Sequence, residues 1–444
     1  MLLTEKIYLY SKELMEKKTS SEVSEEIKKR VVDSLFVSYG AKDSEPLKIA
    51  TKMLLPSRGK LNSRIYFSNR KASVDVATFI NGCMTRFLDY NDTYLSKEAL
   101  HPSDNIPPLI SMGSSKDLDG ESLIKSIYVS YQILGALADA VSIRDRGWDH
   151  VTYISISSAA GLAALLDLDD KKFIHTLNLA INNNISLRQT RAGELSMWKG
   201  CTAGNAARNS VFAVLLAMGG FTGPGPIFEG EMGFFKQISG EFDLDLTKER
   251  VLRTMIKNYP VEYHAMSAVE SALMLRKKIK GTIKRINITT FDVAYKIIVK
   301  DPEKLRPKTK ETADHSLPYI IAYTLNYGEP NLESYDRKFL TDEKILSLID
   351  KMSFKVSDEY NKMYPEYLPV KIEIITTEGN FSEECKVPKG HFRNPFSWED
   401  LNEKGLKIIK DEDLVNSIMN AGKTLDKITI NELLDVVTNV NSKK

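Results

Sequence analysis

The chain has 444 residues, with 61 lysines and arginines against 59 aspartates and glutamates. A formal net charge of +2 supplies no concentrated positive face for nucleic acid. The three cysteines, Cys83, Cys201 and Cys385, stand singly without a CxxC pair, which excludes a zinc or iron–sulfur ligand set and a disulfide framework.

The opening MLLTEKIYLYSKELMEKK carries charge throughout and lacks the apolar stretch of a signal peptide. No run approaches the ~18 apolar residues of a membrane span. A cytoplasmic protein is expected. In SSEVSEEIKKRVVDSLFVSYG, Val23, Ile27, Val31 and Leu35 recur at four-residue intervals, with Gly40 as the stop. In VDVATFINGCMTRFLDY, the residues Val76, Phe79, Ile80, Cys83 and Phe87 mark a buried stripe. GESLIKSIYVSYQILGALADAV continues the helical pattern, as does AAGLAALLDLDDKKFIHTLNLAINN, broken at DLDD. GNAARNSVFAVLLAMGG carries small residues suited to close helix contact.

After about residue 280 the pattern changes. IKRINITTFDVAYKIIV and KMSFKVSD read as strands, and LPVKIEIITTEGNFSEECKV reads as a hairpin turning at Glu378-Gly379. HSLPYIIAYTLNYG and TDEKILSLIDK read as helices, and helical patterns return from 397, with Thr429 and Glu432 as a capping box opening NELLDVVTNV. The fold predicted is mainly α. A large all-helical domain is built from both chain ends, 1–270 and 397–444, with a small α+β lid inserted over 271–396.

Five segments carry candidate chemistry. DYNDTYLSKEALHPSDN places Asp89, Asp92, Thr93 and His101 after a helix, at the end where the dipole disfavours negative charge, so a cationic or hydrogen-bonding partner is expected. RGWDHVTYI sets His150 beside Asp149. SLRQTRAGELSMWKGCTAGNAA offers Arg188, Arg191 and Lys199 before a small-residue helix start, suited to a carboxylate or to close packing. YPVEYH carries His264. DHSLPYIIAY puts His315 and Tyr319 four apart, on one face if the helix has begun. Each admits a structural use as well. His175 reads as structural, His391 as part of a loop between domains, and GGFTGPGPIFEG as a loop without a dinucleotide fingerprint.

Taken in order over about residues 20–410, these segments together with GGFTGPGPIFEGEMGFF and PKGHFRNPFSWEDL resemble the 2-methylcitrate dehydratase (MmgE/PrpD) family. The LSKEALHPSDN insertion and YPVEYH resemble its bacterial dehydratases more than its cis-aconitate decarboxylase branch. The resemblance implies a helical domain with a small α+β lid, an active-site cleft between them, no metal and no cofactor, and a homodimer. It implies catalytic roles for Asp89, Thr93, His101, Lys199, His264 and Tyr319, and for His150 or its neighbour, since this chain has WDH. The implied reaction eliminates water from 2-methylcitrate to give 2-methyl-cis-aconitate. Decarboxylation of cis-aconitate, iminodisuccinate epimerisation and a non-catalytic helical binding protein are the alternatives.

The substrate would carry roughly three negative charges at neutral pH, since carboxyl groups titrate near 4. Arg188, Arg191 and Lys199 are the expected clamp, with Arg86, Lys257 and His315 as further substrate contacts. His101, His150 and His264 supply the acid and base, Asp89 orients a histidine, and Thr93 positions the hydroxyl. A metal held by Asp89, Asp92 and His101 is the rival arrangement. No nucleic-acid or membrane partner is expected.

Overall fold

The computed structural model describes residues 1–193 and 195–438. The chain forms two compact units. The first takes Met1–Gly193, Met197–Ile256 and the chain from Ser397 onward, and the second is built on Lys257–Phe396. The fold is mainly α with a small sheet. No described helix is long and apolar enough to cross a membrane.

At the centre of the first unit is the helix Val151–Leu165, all of whose residues are buried. A helix apolar on every side must be surrounded by others. Gly120–Ala140, Asp170–Asn183 and Thr202–Met218 pack around it. Thr202–Met218 also meets Val74–Phe87 at a glycine crossing, where a Cβ on Gly82 would lie 2.8 Å from the Gly204 Cα. The small residues therefore serve close packing, the second use open to them in the sequence. Of the expected stripe, Ile80 and Cys83 are fully buried, while Val76, Phe79 and Phe87 are only partly covered. The buried face also takes in Ala77, Asn81 and Met84, with Asn81 accepting the Tyr66 N–H at 3.0 Å and donating to the Arg64 carbonyl at 3.0 Å. The helix Ser21–Ala41 passes through Gly40 and ends one residue later.

The second unit carries a four-stranded sheet in the order Met352–Val356, Ile283–Thr290, Val370–Thr376, Asn380–Cys385. Ile283–Thr290 runs parallel to Met352–Val356 and antiparallel to Val370–Thr376, pairing Ile286 with Ile374. Val370, Ile372 and Ile374 are buried and alternate with Lys371 and Glu373, so the hairpin alternation sets which face is covered. The helix Met266–Lys278 packs on these strands. That packing moves the boundary between the units to 256/257, in place of the expected 270/271. The chain returns to the first unit at Ser397.

One strand expectation is corrected. FDVAYKIIV is not extended: Asp292–Ile298 is a helix, its buried Ala294 and Ile298 four residues apart. Asn361 Oδ1 accepts from the Asp292 N–H at 2.7 Å, and this tertiary cap overrides the β-branched composition. At the far end, Thr429 and Glu432 form the predicted reciprocal cap, the Thr429 N–H donating to Glu432 Oε2 at 2.6 Å and the Glu432 N–H to Thr429 Oγ1 at 3.2 Å. The helix they open is described over Ile430–Thr438, and the expected continuation to 444 lies outside the described residues.

Candidate active site

The first unit gathers most of the candidate residues around Asp89. The helix Val74–Phe87 closes on Leu88, and Asp89 follows with φ 52°, a left-handed conformation normally taken by glycine. For a non-glycine residue that conformation costs about 1–2 kcal/mol, so its surroundings must hold it. Three cationic or titratable groups face its buried carboxylate. Arg86 Nη1, in the last helical turn, donates to Oδ1. Lys199 Nζ lies 3.5 Å from Oδ2, and His101 Nε2 lies 3.8 Å from Oδ1. The unfavourable position at the helix end is thus offset by fixed positive charge.

The residues that follow are fastened one by one. Asp92 accepts the Ser103 N–H at 2.8 Å and the Tyr131 hydroxyl at 2.8 Å. Tyr94–Leu95 pairs with Ala99–Leu100, a small hairpin that folds the chain back and returns His101 to Asp92. His101 Nδ1 lies 2.7 Å from the Asp92 carbonyl and 3.4 Å from Thr93 Oγ1. A carbonyl only accepts, so Nδ1 carries the hydrogen, and in the neutral ring the lone pair sits on Nε2, beside Asp89. That is the arrangement of a base whose conjugate acid has a carboxylate waiting.

His150 sits just ahead of the central helix, its ring centroid 5.8 Å from that of His101. Burial, together with Arg191, pushes its pKa well below the ordinary value, so the ring is neutral at neutral pH. Its Nδ1 lies 3.3 Å from Asp149 Oδ1, and its Nε2 is buried without a hydrogen bond among the described residues. Burial alone would push the Asp149 carboxyl up, but Arg191, 2.8 Å away, and His150 outweigh it and hold it at about 2. Asp104 differs: burial lifts its carboxyl to about 7 against the pull of Arg86 and Arg191.

The second unit has a cluster of its own. His264 Nδ1 donates to Glu262 Oε1 at 2.7 Å, and the His264 backbone N–H donates to Oε2 at 2.8 Å. The ring is thereby fixed with Nε2 toward the Tyr364 hydroxyl, 3.3 Å away. Burial opposes ionisation of Glu262, but His264, His315 and Lys257 overcome it and hold the group at about 2. His315 pairs with Asp314, whose carbonyl accepts from the Glu262 N–H at 2.8 Å. Lys257 is fully buried in this unit.

Several expectations change on this geometry. Tyr319 is enclosed in its own unit, its hydroxyl donating to the Ser334 carbonyl at 2.6 Å. That bond gives it a structural use. His315 and Tyr319 do not share a helical face, because the helix is Leu317–Tyr327 with Ser316 as its cap. The clamp of Arg188, Arg191 and Lys199 is divided. Arg191 faces Asp149, Lys199 faces Asp89, and only Arg188 makes no ion pair among the described residues. The rival metal set does not converge, since both Asp92 carboxylate oxygens serve Ser103 and Tyr131 and Asp89 already faces two cations. His175 accepts from the Gly223 N–H, a structural use. Asp104, Glu262 and Tyr364 were not among the sequence candidates. Glu262 and Asp104 lie within quoted segments, HPSDN and YPVEYH, but nothing local marks which acid turns inward. Tyr364 lies far from His264 in sequence.

The first unit is mainly helical and holds a buried acid–base and cation cluster of the kind an acid–base enzyme uses, and the second is a small α+β unit. The MmgE/PrpD N-terminal domain family matches residues 5–247, and the MmgE/PrpD C-terminal domain family matches residues 259–414. The chain belongs to the MmgE/PrpD family. It is 28% identical over 342 residues to the mitochondrial 2-methylcitrate dehydratase of Yarrowia lipolytica (strain CLIB 122 / E 150), covering 70% of this chain and 65% of that one, just under two thirds of its length. It is 28% identical over 346 residues to the 2-methylcitrate dehydratase of Escherichia coli (strain K12), covering 71% of each. It is 26% identical over 399 residues to the alkylcitrate dehydratase phiI of Fungal sp. (strain ATCC 74256), covering 81% and 78%.

Proposed function

We propose that the chain is a hydro-lyase that removes water from 2-methylcitrate, or from a closely related alkylcitrate, by acid–base catalysis on its own side chains. The observation that carries this is the Asp89 cluster. Two fixed cations and an imidazole with its lone pair on Nε2 share one buried carboxylate. The 2-methylcitrate and alkylcitrate dehydratases among its relatives support that substrate class.

Elimination must take a proton from the carbon next to a carboxylate and expel a tertiary hydroxyl as water. The proton goes to His101 Nε2, and Asp89 holds the imidazolium that forms. Charge then builds on the substrate carboxylate, so a cation aimed there contributes most, about 3 kcal/mol for each good donor by analogy with oxyanion sites. Lys199 and Arg188 are assigned that task. The His101 imidazolium then returns that proton to the departing hydroxyl, which leaves as water, while the neutral His150 ring, whose Nε2 makes no hydrogen bond among the described residues, accepts a hydrogen bond from the substrate hydroxyl. His264, fixed by Glu262, is the ordered imidazole of the second unit. Thr93 orients the His101 ring. A cytoplasmic homodimer completes the reading.

Turnover of a panel of tri- and dicarboxylates with chelator present tests it. A conjugated alkene formed from 2-methylcitrate without carbon dioxide is the supporting result. Carbon dioxide release, racemisation without alkene, or loss of turnover in chelator would overturn it.

A further inference from the structure

We infer that Lys404 is a positioning residue for the Asp89 loop, reaching it from the helix that returns the chain to the first unit. The inference rests on the reading of Asp89 and His101 as reacting groups. Lys404 lies in the helix Trp398–Ile409 and is 2% exposed. Its ammonium stands 2.5 Å from Asp33 Oδ1, on Ser21–Ala41, and donates to the Tyr90 carbonyl at 3.0 Å. It also lies over the Tyr90 ring, 4.0 Å from the centroid. Gly405 seats the helix, since a Cβ there would come within 2.6 Å of Phe36.

A buried ion pair is a weak stabiliser, and two apolar side chains of similar size fill such a space as well or better. What an apolar pair could not do is donate to a carbonyl. The carbonyl concerned belongs to Tyr90, directly after the left-handed Asp89 and before Asn91, whose amide donates to Ser103 Oγ at 2.9 Å and to Asp104 Oδ1 at 3.2 Å. Asp89 is held from its N-terminal side by Arg86 and from across the unit by Lys199. Lys404 fastens the backbone on the C-terminal side. A strained residue persists only where the surroundings over-determine it, and the third fastener fixes where the carboxylate points.

The test compares Lys404→Met with the double variant Asp33→Leu/Lys404→Met. The readouts are the thermal midpoint, kcat and KM with 2-methylcitrate, and the NMR titration of the His101 imidazole, with His175 as internal control. Lys404→Met should lose stability, because it leaves Asp33 buried without its cation. The double variant should regain the midpoint yet keep kcat down roughly 10–100-fold with KM little changed, the size expected when a reacting group is misplaced. Its His101 titration should differ from wild type while that of His175 does not. A double variant with wild-type kcat and an unmoved His101 titration reduces Lys404 to a stability pair and overturns the proposal. Should the double variant not fold, Lys404→Arg carries the test. It keeps a cation beside Asp33 but moves the donor, so a preserved midpoint with reduced kcat supports the proposal and wild-type kcat overturns it. Absence of turnover in the wild-type chain would instead count against the functional reading, and the His101 titration reads the positioning without any substrate.

Discussion

Lys199 Nζ stands 3.5 Å from Asp89 Oδ2, and both side chains are almost wholly removed from solvent. Two segments that look unrelated in the sequence therefore supply the two charges of one site. Lys199→Met removes one of the cations facing Asp89 and takes away the cation assigned to the substrate carboxylate. A fall in kcat/KM of about 10²–10³-fold is expected, the loss seen when one preorganised donor is removed. Steady-state kinetics beside a thermal melt check it, and a fall below about threefold would contradict the role.

His101 donates from Nδ1 to the Asp92 carbonyl, so Nε2 is the atom left to take a proton. In His101→Gln a side-chain amide can still meet that carbonyl, but nothing there titrates. The expected result is a fold retained, kcat lowered roughly 10²–10⁴-fold, and loss of deuterium exchange at the substrate carbon next to the carboxylate. Exchange continuing at the wild-type rate would assign the base elsewhere, with His150 the first alternative.

Asp104 gives a pH dependence whose sign is fixed. Its carboxyl is raised from 3.8 to about 7 by burial, so the native state holds a proton that the unfolded chain has already lost. The stability it contributes is full below pH 3.8 and is lost as pH rises through about 7. The loss amounts to about 4 kcal/mol at 1.36 kcal/mol per unit. Asp104→Asn removes the dependence. Thermal melts should show the variant gaining on wild type from pH 5 to pH 8, and parallel curves would be the contrary result.

Glu262 works in the opposite direction. Burial notwithstanding, His264 and its other cationic neighbours depress it from 4.5 to about 2. Its contribution is therefore present above pH 4.5 and is lost as pH falls through about 2. That contribution is about 3 kcal/mol. Glu262→Gln should flatten the acid limb of the unfolding curve and, by freeing the His264 ring, lower kcat about tenfold or more, since a hydrogen bond to a charged group is worth about 1.5–3 kcal/mol. Acid titration followed by circular dichroism measures the first, and initial rates the second.

How far the sequence reaches can be judged residue by residue. Helices of the first unit and the hairpin after Leu368 were legible, because apolar spacing reports directly which faces are covered. Asp292–Ile298 was misread because its cap comes from Asn361, far along the chain. The same limit applies to the site. Asp89 at a helix C-terminus signalled its need for cations, but that Lys199 would answer as well as Arg86, three residues away, could not be read from spacing. Tyr319 was chosen by its segment, yet its hydroxyl is directed by Ser334, while Tyr364 reaches His264 through tertiary folding alone. Asp104 shows nothing unusual in HPSDN, and its carboxyl is raised chiefly by burial, with the charge of Asp92 adding to it.

The most direct measurement is the rate of alkene formation from 2-methylcitrate by wild type and by Asp89→Asn, at matched folded fraction. Asparagine tolerates the left-handed backbone and nearly preserves shape, so the substitution removes chiefly the charge. Turnover in wild type with kcat lowered about 100-fold or more in the variant is the expected result. Equal rates in the two proteins would contradict the assignment of the Asp89 cluster as the place where the bond is broken.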